Sequence, residues 1–182
     1  RRALDAVWRD GQLWLTATLL PRAGLPDEGE ATAFWAVVDT TSPADLILAD
    51  HGTIGGEEIA AGTFTYFPSI AVNGDGVVVI GYSASAPSIY PSAFHTYRFL
   101  SDAPGTTRGP QRLRLGRDSY FRRFDGFRNR WGDYSGVAVD PVDGCFWVFN
   151  LFAAEQGTPS NNNTQSGRWA TAIGKFCSDC PD

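Results

Sequence analysis

Short apolar runs alternate with turn-forming residues along the chain, and one strand–turn–strand pattern occurs three times. In each copy a short apolar run leads to Asp-Gly and then to a longer run of β-branched and aromatic residues. Asp-Gly between two such runs is typical of a β-hairpin, because both central residues of a type I′ turn need positive φ. The pattern therefore predicts three hairpins, at Asp10-Gly11, Asp75-Gly76 and Asp143-Gly144.

The three copies are nearly evenly spaced, which indicates a repeat architecture. Aligned on the Ala-Val pair of their first strands, they start at Ala6, Ala71 and Ala138, which is a spacing of 65 and then 67 residues. A turn-rich loop and a third apolar run follow each hairpin, and the first two repeats add a fourth run. The third repeat ends at Phe176 without one. The third runs begin at Ala33, Ala93 and Arg168, and the fourth runs begin at Asp45 and Gln111.

Four antiparallel strands per repeating unit are typical of a β-propeller blade. We therefore predict an all-β fold, a partial β-propeller of about three four-stranded antiparallel blades, as a single domain over residues 1–182. The blades would occupy approximately residues 1–62, 63–128 and 129–176, followed by a C-terminal tail at 177–182. A sandwich of the same strands is the main alternative, but it does not predict the even recurrence.

Three blades cannot close a ring, since propellers have about four to eight blades. The open blade faces would be large apolar patches, which in soluble proteins mark interaction surfaces. We therefore predict that other protein chains, or blades missing from this sequence, pack on an open blade face.

Composition narrows the class of protein. At 43% hydrophobic residues the chain can bury a core, and no apolar run approaches the roughly 18 residues of a transmembrane helix. The absence of Met, even at position 1, and of a signal peptide indicates a processed or truncated piece of a longer precursor. Arg outnumbers Lys by 14 to 1, which we interpret as the codon usage of a GC-rich bacterial genome.

Charge is unevenly distributed. The net charge is −5, yet residues 98–130 hold nine Arg against three Asp. Such a basic segment either binds anions or an acidic partner, or pairs with the surplus Asp and stacks on the aromatic residues. Nucleic acid is not a predicted partner, because the chain is acidic overall and has no nucleic-acid-binding motif.

The three cysteines are Cys145, Cys177 and Cys180. A single C-x-x-C is a weak zinc signal, because a structural zinc site needs two further ligands and neither histidine has ligand spacing. A c-type haem would need His after the second Cys, where this chain has Pro181. We therefore predict no metal and no cofactor, and a disulfide that joins Cys177 to Cys180 or Cys145 to one of them. A disulfide favours an oxidising compartment.

Two stretches carry a resemblance to a known family. One is Y-F-P-S-I-A-V-N-G-D-G-V-V-V-I-G-Y-S from Tyr66, and the other is R-W-G-D-Y-S-G-V-A-V-D-P-V-D-G-C-F-W-V-F-N from Arg130. They resemble a group of secreted bacterial β-propellers related to the sialidase-like, Asp-box proteins, over roughly residues 66–176 and weakly over 1–20. The resemblance implies a propeller fold and an extracellular or cell-surface location.

The loop before the third copy holds the candidate site residues. It immediately precedes a predicted innermost strand, where propeller loops face the mouth of the central channel. Aromatic rings there could stack on a sugar, and the charged side chains could hydrogen-bond to it. In the structural alternative, Gly132 permits a tight turn, the Asp133 carboxylate accepts backbone N–H groups, and Trp131 wedges between blades. The candidate ligand-binding residues are Arg128, Arg130, Trp131, Asp133 and Tyr134.

Sialidase chemistry uses a Tyr nucleophile activated by a carboxylate, an acid and an Arg cluster. Tyr134 beside Asp133 supplies some of these parts, but no Glu follows an activating pattern beside a Tyr. We therefore assign no catalytic residue. The leading prediction is a non-catalytic, secreted propeller segment that acts as a protein- or glycan-binding or structural module, as a subunit of a larger extracellular assembly. An acidic glycan is a candidate ligand. The alternative is part of a sialidase-like glycoside hydrolase whose remaining blades are absent from this chain.

Overall fold

A computed structural model describes residues 2–25, 27–123, 128–158 and 166–178. In these residues the chain is all-β, as predicted, and its eleven strands form three antiparallel sheets of four, four and three strands. The first sheet contains β1 (Ala3–Arg9), β2 (Gln12–Leu19), β3 (Thr32–Asp39) and β4 (Ile47–Ile54). The second contains β5 (Phe64–Val72), β6 (Val78–Ala86), β7 (Ile89–Arg98) and β8 (Gln111–Arg114). The third contains β9 (Gly136–Val139), β10 (Phe146–Glu155) and β11 (Arg168–Phe176).

Every sheet is a meander in which each strand pairs with the next along the chain. Over the described ranges the third sheet has three strands, and the sheets do not close on one another. No helix long and apolar enough to span a bilayer occurs in this part of the chain.

The three Asp-Gly hairpins form, but their turns differ. Asp10 and Gly11 both have positive φ, 49° and 78°, as a type I′ turn requires. In the other two turns only the glycine is left-handed, with φ of 76° at Gly76 and 74° at Gly144. The expected type I′ geometry is therefore wrong there, because a longer loop places only one residue in the left-handed region. In the Asp75-Gly76 turn the Asn73 side chain accepts the backbone N–H of Val77 at 2.9 Å and fixes the loop.

The second sheet lies between the other two and has a core on each face. Toward the first sheet, fully buried Trp35 and Tyr82 belong to one apolar cluster that includes Trp14 and Ile80. Toward the third sheet, Val79 packs with fully buried Phe146 and Val148 in a second cluster. The central strand β6 is almost entirely buried because it contributes to both cores.

A buried ion pair joins the first and second sheets. Arg98 on β7 lies 3.2 Å from Asp50 on β4, and its guanidinium stacks on Trp35 at 4.7 Å. No side chain fits at Gly52, because even a Cβ there would clash with the Trp35 ring and the Gly105 carbonyl oxygen. Several arginines of the basic segment, residues 98–130, are thus paired with Asp or stacked on aromatic rings. This is the alternative, expected from the sequence, to binding of an anion or an acidic partner. Further examples are Arg108 with Asp102, and Arg114 and Arg117 on Phe152.

The first strands of the three sheets are linked through side chains at one junction. The Ser69 hydroxyl on β5 donates to the Asp5 carboxylate on β1 at 2.5 Å and accepts the backbone N–H of Val137 on β9 at 3.0 Å. The same Asp5 oxygen accepts the backbone N–H of Ile70 at 3.0 Å. We call these hydrogen bonds the Asp5–Ser69–Val137 junction. It supplies polar contacts between strands that share no backbone ladder.

A disulfide joins Cys145, at the start of β10, to Cys177, just after β11. This is one of the pairings that the sequence left open, and it confirms the prediction that Cys177 or Cys180 is disulfide-bonded. Cys180 lies outside the described residues. The bond closes a segment of 32 residues, and in the chain-entropy account such a loop stabilises the fold by about 3–4 kcal/mol.

His95 is buried between the second and third sheets. It lies on β7 with its ring 5.4 Å from that of Phe176, and within the described residues neither ring nitrogen has a hydrogen-bond partner. Burial lowers the pKa of His95 from 6.5 to about 4, because the charged imidazolium would lose its hydration without gaining a partner.

The Asp5–Ser69–Val137 junction predicts a specific loss of stability in Ser69→Ala. The substitution removes a donor to Asp5 and strands a part-buried Val137 N–H, so we expect the free energy of unfolding to fall by about 1–3 kcal/mol. Chemical denaturation measures this value. Ser88→Ala, at an exposed turn position, is the matched control and should be neutral. Equal stability of the two variants would show that the junction contributes nothing.

His95 predicts an acid-dependent loss of stability. Its pKa is lower in the folded than in the unfolded chain, so the unfolded chain binds the proton first as the pH falls from 6.5 to about 4. The His95 contribution to the free energy of unfolding should therefore decline by about 3 kcal/mol over this range. Denaturation at a series of pH values should show a shallower decline in His95→Phe.

The control for this pH series is Asp27→Asn. The pKa of Asp27 is raised to about 6 by burial and by the neighbouring carboxylates, so its effect has the opposite sign. Removing that carboxyl should steepen the acid decline. An unchanged pH profile in His95→Phe would contradict the assignment of this loss to His95.

Candidate functional site

A cleft of about 380 Å³ opens beside the starts of the first strands of the second and third sheets. Three parts of the chain converge on it: the end of β2 with the β2–β3 connection, the beginning of β5, and the segment that precedes β9. We call it the inner-strand cleft. Its lining residues are Thr18, Ala31, Tyr66, Phe67, Arg128, Asn129, Arg130, Trp131 and Asp133.

An irregular backbone at the start of β5 forms one wall. The register of β5 against β6 shifts between Tyr66 and Ser69, and Phe67 within this bulge has a φ of 52°. A bulky aromatic residue rarely adopts this left-handed conformation, so the surroundings must hold it. The Phe67 N–H donates to the Thr18 hydroxyl at 3.0 Å, and its carbonyl accepts from the Ser135 hydroxyl. The first and third sheets thus hold the same residue from both sides.

Three aromatic side chains line the cleft, and each has a fixed neighbour. Tyr66 and Phe67 meet edge to face with ring centroids 5.7 Å apart. Trp131 lies edge to face with Tyr120 at 5.0 Å and donates its indole N–H to the Ser83 hydroxyl at 3.3 Å. Trp131 therefore packs against the second sheet, as the structural alternative expected, and also borders the cleft.

Besides the hydroxyls of Thr18 and Tyr66, the polar side chains of the cleft are two arginines, one amide and one carboxylate. Arg130 and Asp133 form an ion pair at 3.3 Å, and both side chains are about half exposed. Arg128 is exposed at the rim. The Asn129 side chain accepts the N–H of Arg122 at 2.7 Å and donates to the carbonyl of Tyr120 at 3.0 Å, so it holds the segment in place.

This geometry corrects the expected turn around Asp133. Within the described residues its carboxylate pairs with the Arg130 guanidinium and accepts no backbone N–H. Gly132 is needed for space and not for a left-handed φ, because a Cβ there would meet the side chain of Leu151. The sequence pattern misplaced the acceptor because a neighbouring arginine three residues earlier competes for it.

Four of the five predicted site residues, Arg128, Arg130, Trp131 and Asp133, line the cleft. The fifth, Tyr134, is 61% exposed and is not among the lining residues. Sequence reasoning missed Tyr66 and Phe67, which come from the previous repeat. Their signal was Pro68 directly after them, since Pro within a strand pattern is confined to edge strands, strand starts and bulges.

The cleft has the groups for recognition but not an activated tyrosine. The Tyr66 hydroxyl bonds to the Ser85 hydroxyl at 3.2 Å, and burial raises the pKa of Tyr66 to about 12. A tyrosine nucleophile needs the opposite shift. In the part of the chain described, no carboxylate accepts a hydrogen bond from a tyrosine hydroxyl. Nor do three or more His, Cys, Asp or Glu side chains of these residues come together in a way that could hold a metal ion.

Comparison of the chain with protein-family models, with curated proteins and with solved structures gives no match. The likeness to sialidase-like propellers therefore rests on the residues quoted above.

The ion pair predicts that Asp133 matters little for stability. Because Arg130 and Asp133 are both half exposed, their pairing should contribute only about 0–1 kcal/mol. We expect Asp133→Ala and Asp133→Asn to lower the melting temperature by similarly small amounts, measured by circular dichroism. A large loss in the alanine variant alone would restore the role of a backbone-capping carboxylate.

Proposed function

We propose that the chain is a partial β-propeller of the secreted, sialidase-like type and that it binds an acidic glycan in the inner-strand cleft without hydrolysing it. Three successive meander sheets support the propeller, since each packs face to face with the next and their first strands lie side by side at the Asp5–Ser69–Val137 junction. Propeller ligands bind at the mouth of the channel that such strands line.

The proposal rests on one observation, that aromatic rings and guanidinium groups line the same cleft. Tyr66, Phe67 and Trp131 offer apolar faces of the kind that pack on sugar rings. Arg128 and Arg130 offer planar donors suited to a carboxylate. Asp133 neutralises part of this charge, which leaves Arg128 as the principal group for an anionic substituent.

The disulfide supports a secreted protein. Disulfides such as Cys145–Cys177 form and persist in oxidising surroundings, such as the bacterial periplasm and the cell exterior. An extracellular glycan is a ligand that a module in this compartment would meet.

The outer faces of the first and third sheets support packing against further protein. On the first sheet, Trp8 and Leu48 are 63% and 57% exposed at the two edges of one cross-strand row. On the third, Phe149 lies opposite Ile173, which is 65% exposed. The corresponding faces inside the molecule are covered by the next sheet. We propose that further blades or another protein chain cover these two as well.

Glycan binding is tested by titrating the protein with 3′-sialyllactose and with lactose in a calorimeter. We expect sialyllactose to bind and lactose, which lacks the carboxylate, to bind at least about tenfold more weakly. Arg128→Gln should weaken sialyllactose binding by about tenfold or more, because it removes a charge-assisted hydrogen bond.

The matched control is Arg112→Gln, which removes an exposed arginine from β8, outside the cleft. It should leave the affinity unchanged. Equal effects of the two arginine variants, or no saturable binding of a carboxylated sugar, would refute the assignment of the cleft.

The open faces predict that the chain is unstable as an isolated monomer. Exposed apolar sheet faces of this kind associate in water, so we expect self-association or aggregation of the isolated chain. Analytical ultracentrifugation with denaturant unfolding measures this. A monodisperse monomer of 19.8 kDa that unfolds cooperatively would contradict it.

A further inference from the structure

A second cavity, of about 260 Å³, lies between the first and second sheets. Two parts of the chain form its walls: the connection from β4 to β5, and the segment that runs into β8. Two carboxylates, Glu57 and Glu58, and one guanidinium, Arg108, line it together with Tyr82. None of these residues belongs to the inner-strand cleft.

The buried end of Tyr82 is the unusual feature of this cavity. Tyr82 is fully buried on β6, with its ring stacked on Phe94 at 6.3 Å in the core between the first two sheets. Its hydroxyl, the one polar atom of the side chain, has no hydrogen-bond partner within the described part of the chain. A buried hydroxyl without a hydrogen-bond partner costs free energy of desolvation. We therefore expect the Tyr82 hydroxyl to gain a partner when the protein functions.

Tyr82 lies near the acidic wall of the cavity. Tyr82 lines the cavity with Glu58, and the negative charge of Glu58, after burial, raises the pKa of the Tyr82 hydroxyl. The Glu58 carboxylate itself lies against Gly109, on the β8 side of the cavity, where a Cβ would come within 3.1 Å of its oxygen. Tyr82 and Glu58 therefore border the same space.

The charge of the cavity is negative. Arg108 is neutralised by Asp102, which it contacts through three hydrogen bonds of 2.6–3.0 Å. Glu57 also lies beside Asp27, whose pKa is raised by burial, then by a hydrogen bond with Glu57 and by the negative charges of Glu57 and Glu30. A cation entering the cavity would relieve this repulsion, whereas an anion would add to it.

We infer that this cavity is a binding site for a primary ammonium group, which would donate to the Tyr82 hydroxyl and to the carboxylates of Glu57 and Glu58. An ammonium group has three N–H donors and no acceptor, which matches one hydroxyl oxygen and two carboxylates. A lysine side chain of a partner protein and a small free amine share this chemistry. The inference is independent of glycan binding in the inner-strand cleft.

The test is a titration of the protein with n-butylammonium, with Nα-acetyl-lysine methylamide and with tetramethylammonium, followed by nuclear magnetic resonance. We expect both primary amines to bind, and tetramethylammonium, which has charge but no N–H donor, to bind at least about tenfold more weakly. Tighter binding of the capped lysine would identify a partner's lysine as the source. Tighter binding of n-butylammonium would identify a small amine.

Variants locate the site. Glu58→Gln should weaken amine binding by about tenfold or more, and Tyr82→Phe by about three- to tenfold. Tyr82→Phe should leave the melting temperature of the ligand-free protein unchanged or raised, because it removes an unpaired buried hydroxyl. Asp75→Asn, which removes an exposed carboxylate from the β5–β6 turn, is the matched control and should leave binding unchanged.

Four results would overturn the inference. They are the absence of saturable amine binding at millimolar concentration, equal binding of tetramethylammonium, an equal effect of Asp75→Asn, and a lowered melting temperature in Tyr82→Phe. The last would show that the hydroxyl has a structural partner. Sialyllactose binding is measured on the same samples. A lack of amine binding can then be distinguished from a lack of glycan binding in the inner-strand cleft.

Discussion

The arrangement of the three sheets depends on the Asp5–Ser69–Val137 junction. The apolar cores hold the sheets together, but hydrophobic contact is non-directional and sets no register between neighbours. One serine hydroxyl that donates to Asp5 and accepts from Val137 fixes how far β1 and β9 can slide along β5. Hydrogen bonds to a charged carboxylate are also stronger than neutral ones.

The inner-strand cleft is a consequence of this junction. Ser69 ends the bulge that begins at Tyr66, so the residue that links the sheets also determines where β5 departs from regular pairing. Phe67, within the bulge, is held in a left-handed conformation by Thr18 of the first sheet and by Ser135, which immediately precedes β9. Any shift of one sheet against another would therefore alter the wall of the cleft. Stability and recognition depend on the same few residues here.

Much of the fold is predictable from the sequence because each β-strand corresponds to a short apolar run bounded by turn-forming residues. The third run of the last repeat, from Arg168, coincides with β11, and over the described residues the sheets contain four, four and three strands as the runs predicted. The sequence did not reveal the turn geometry of the second and third hairpins. Asp75 and Asp143 stay out of the left-handed region because longer loops carry their turns, which the Asp-Gly pair alone does not reveal.

The part of the candidate site that is continuous in sequence could be predicted. The part that comes from a different repeat could not. The segment from Arg128 to Asp133 was found because charged and aromatic residues cluster before a strand. Tyr66 and Phe67 belong to the preceding repeat and reach the cleft only through face-to-face packing of two sheets. The cavity at Tyr82 had no sequence signal, because the apolar run of β6 does not show which hydroxyl lacks a partner.

We propose that ligand binds where the three sheets meet. The indole N–H signals of the protein measure this most directly. The chain has six Trp, of which Trp131 lines the inner-strand cleft, Trp14 and Trp35 lie in the core, and Trp8, Trp147 and Trp169 are exposed on outer faces. Titration with 3′-sialyllactose, followed by ¹H–¹⁵N correlation spectra, should shift the Trp131 indole signal and leave those of Trp8, Trp147 and Trp169 in place. Shifts at the outer-face tryptophans with none at Trp131 would contradict the account.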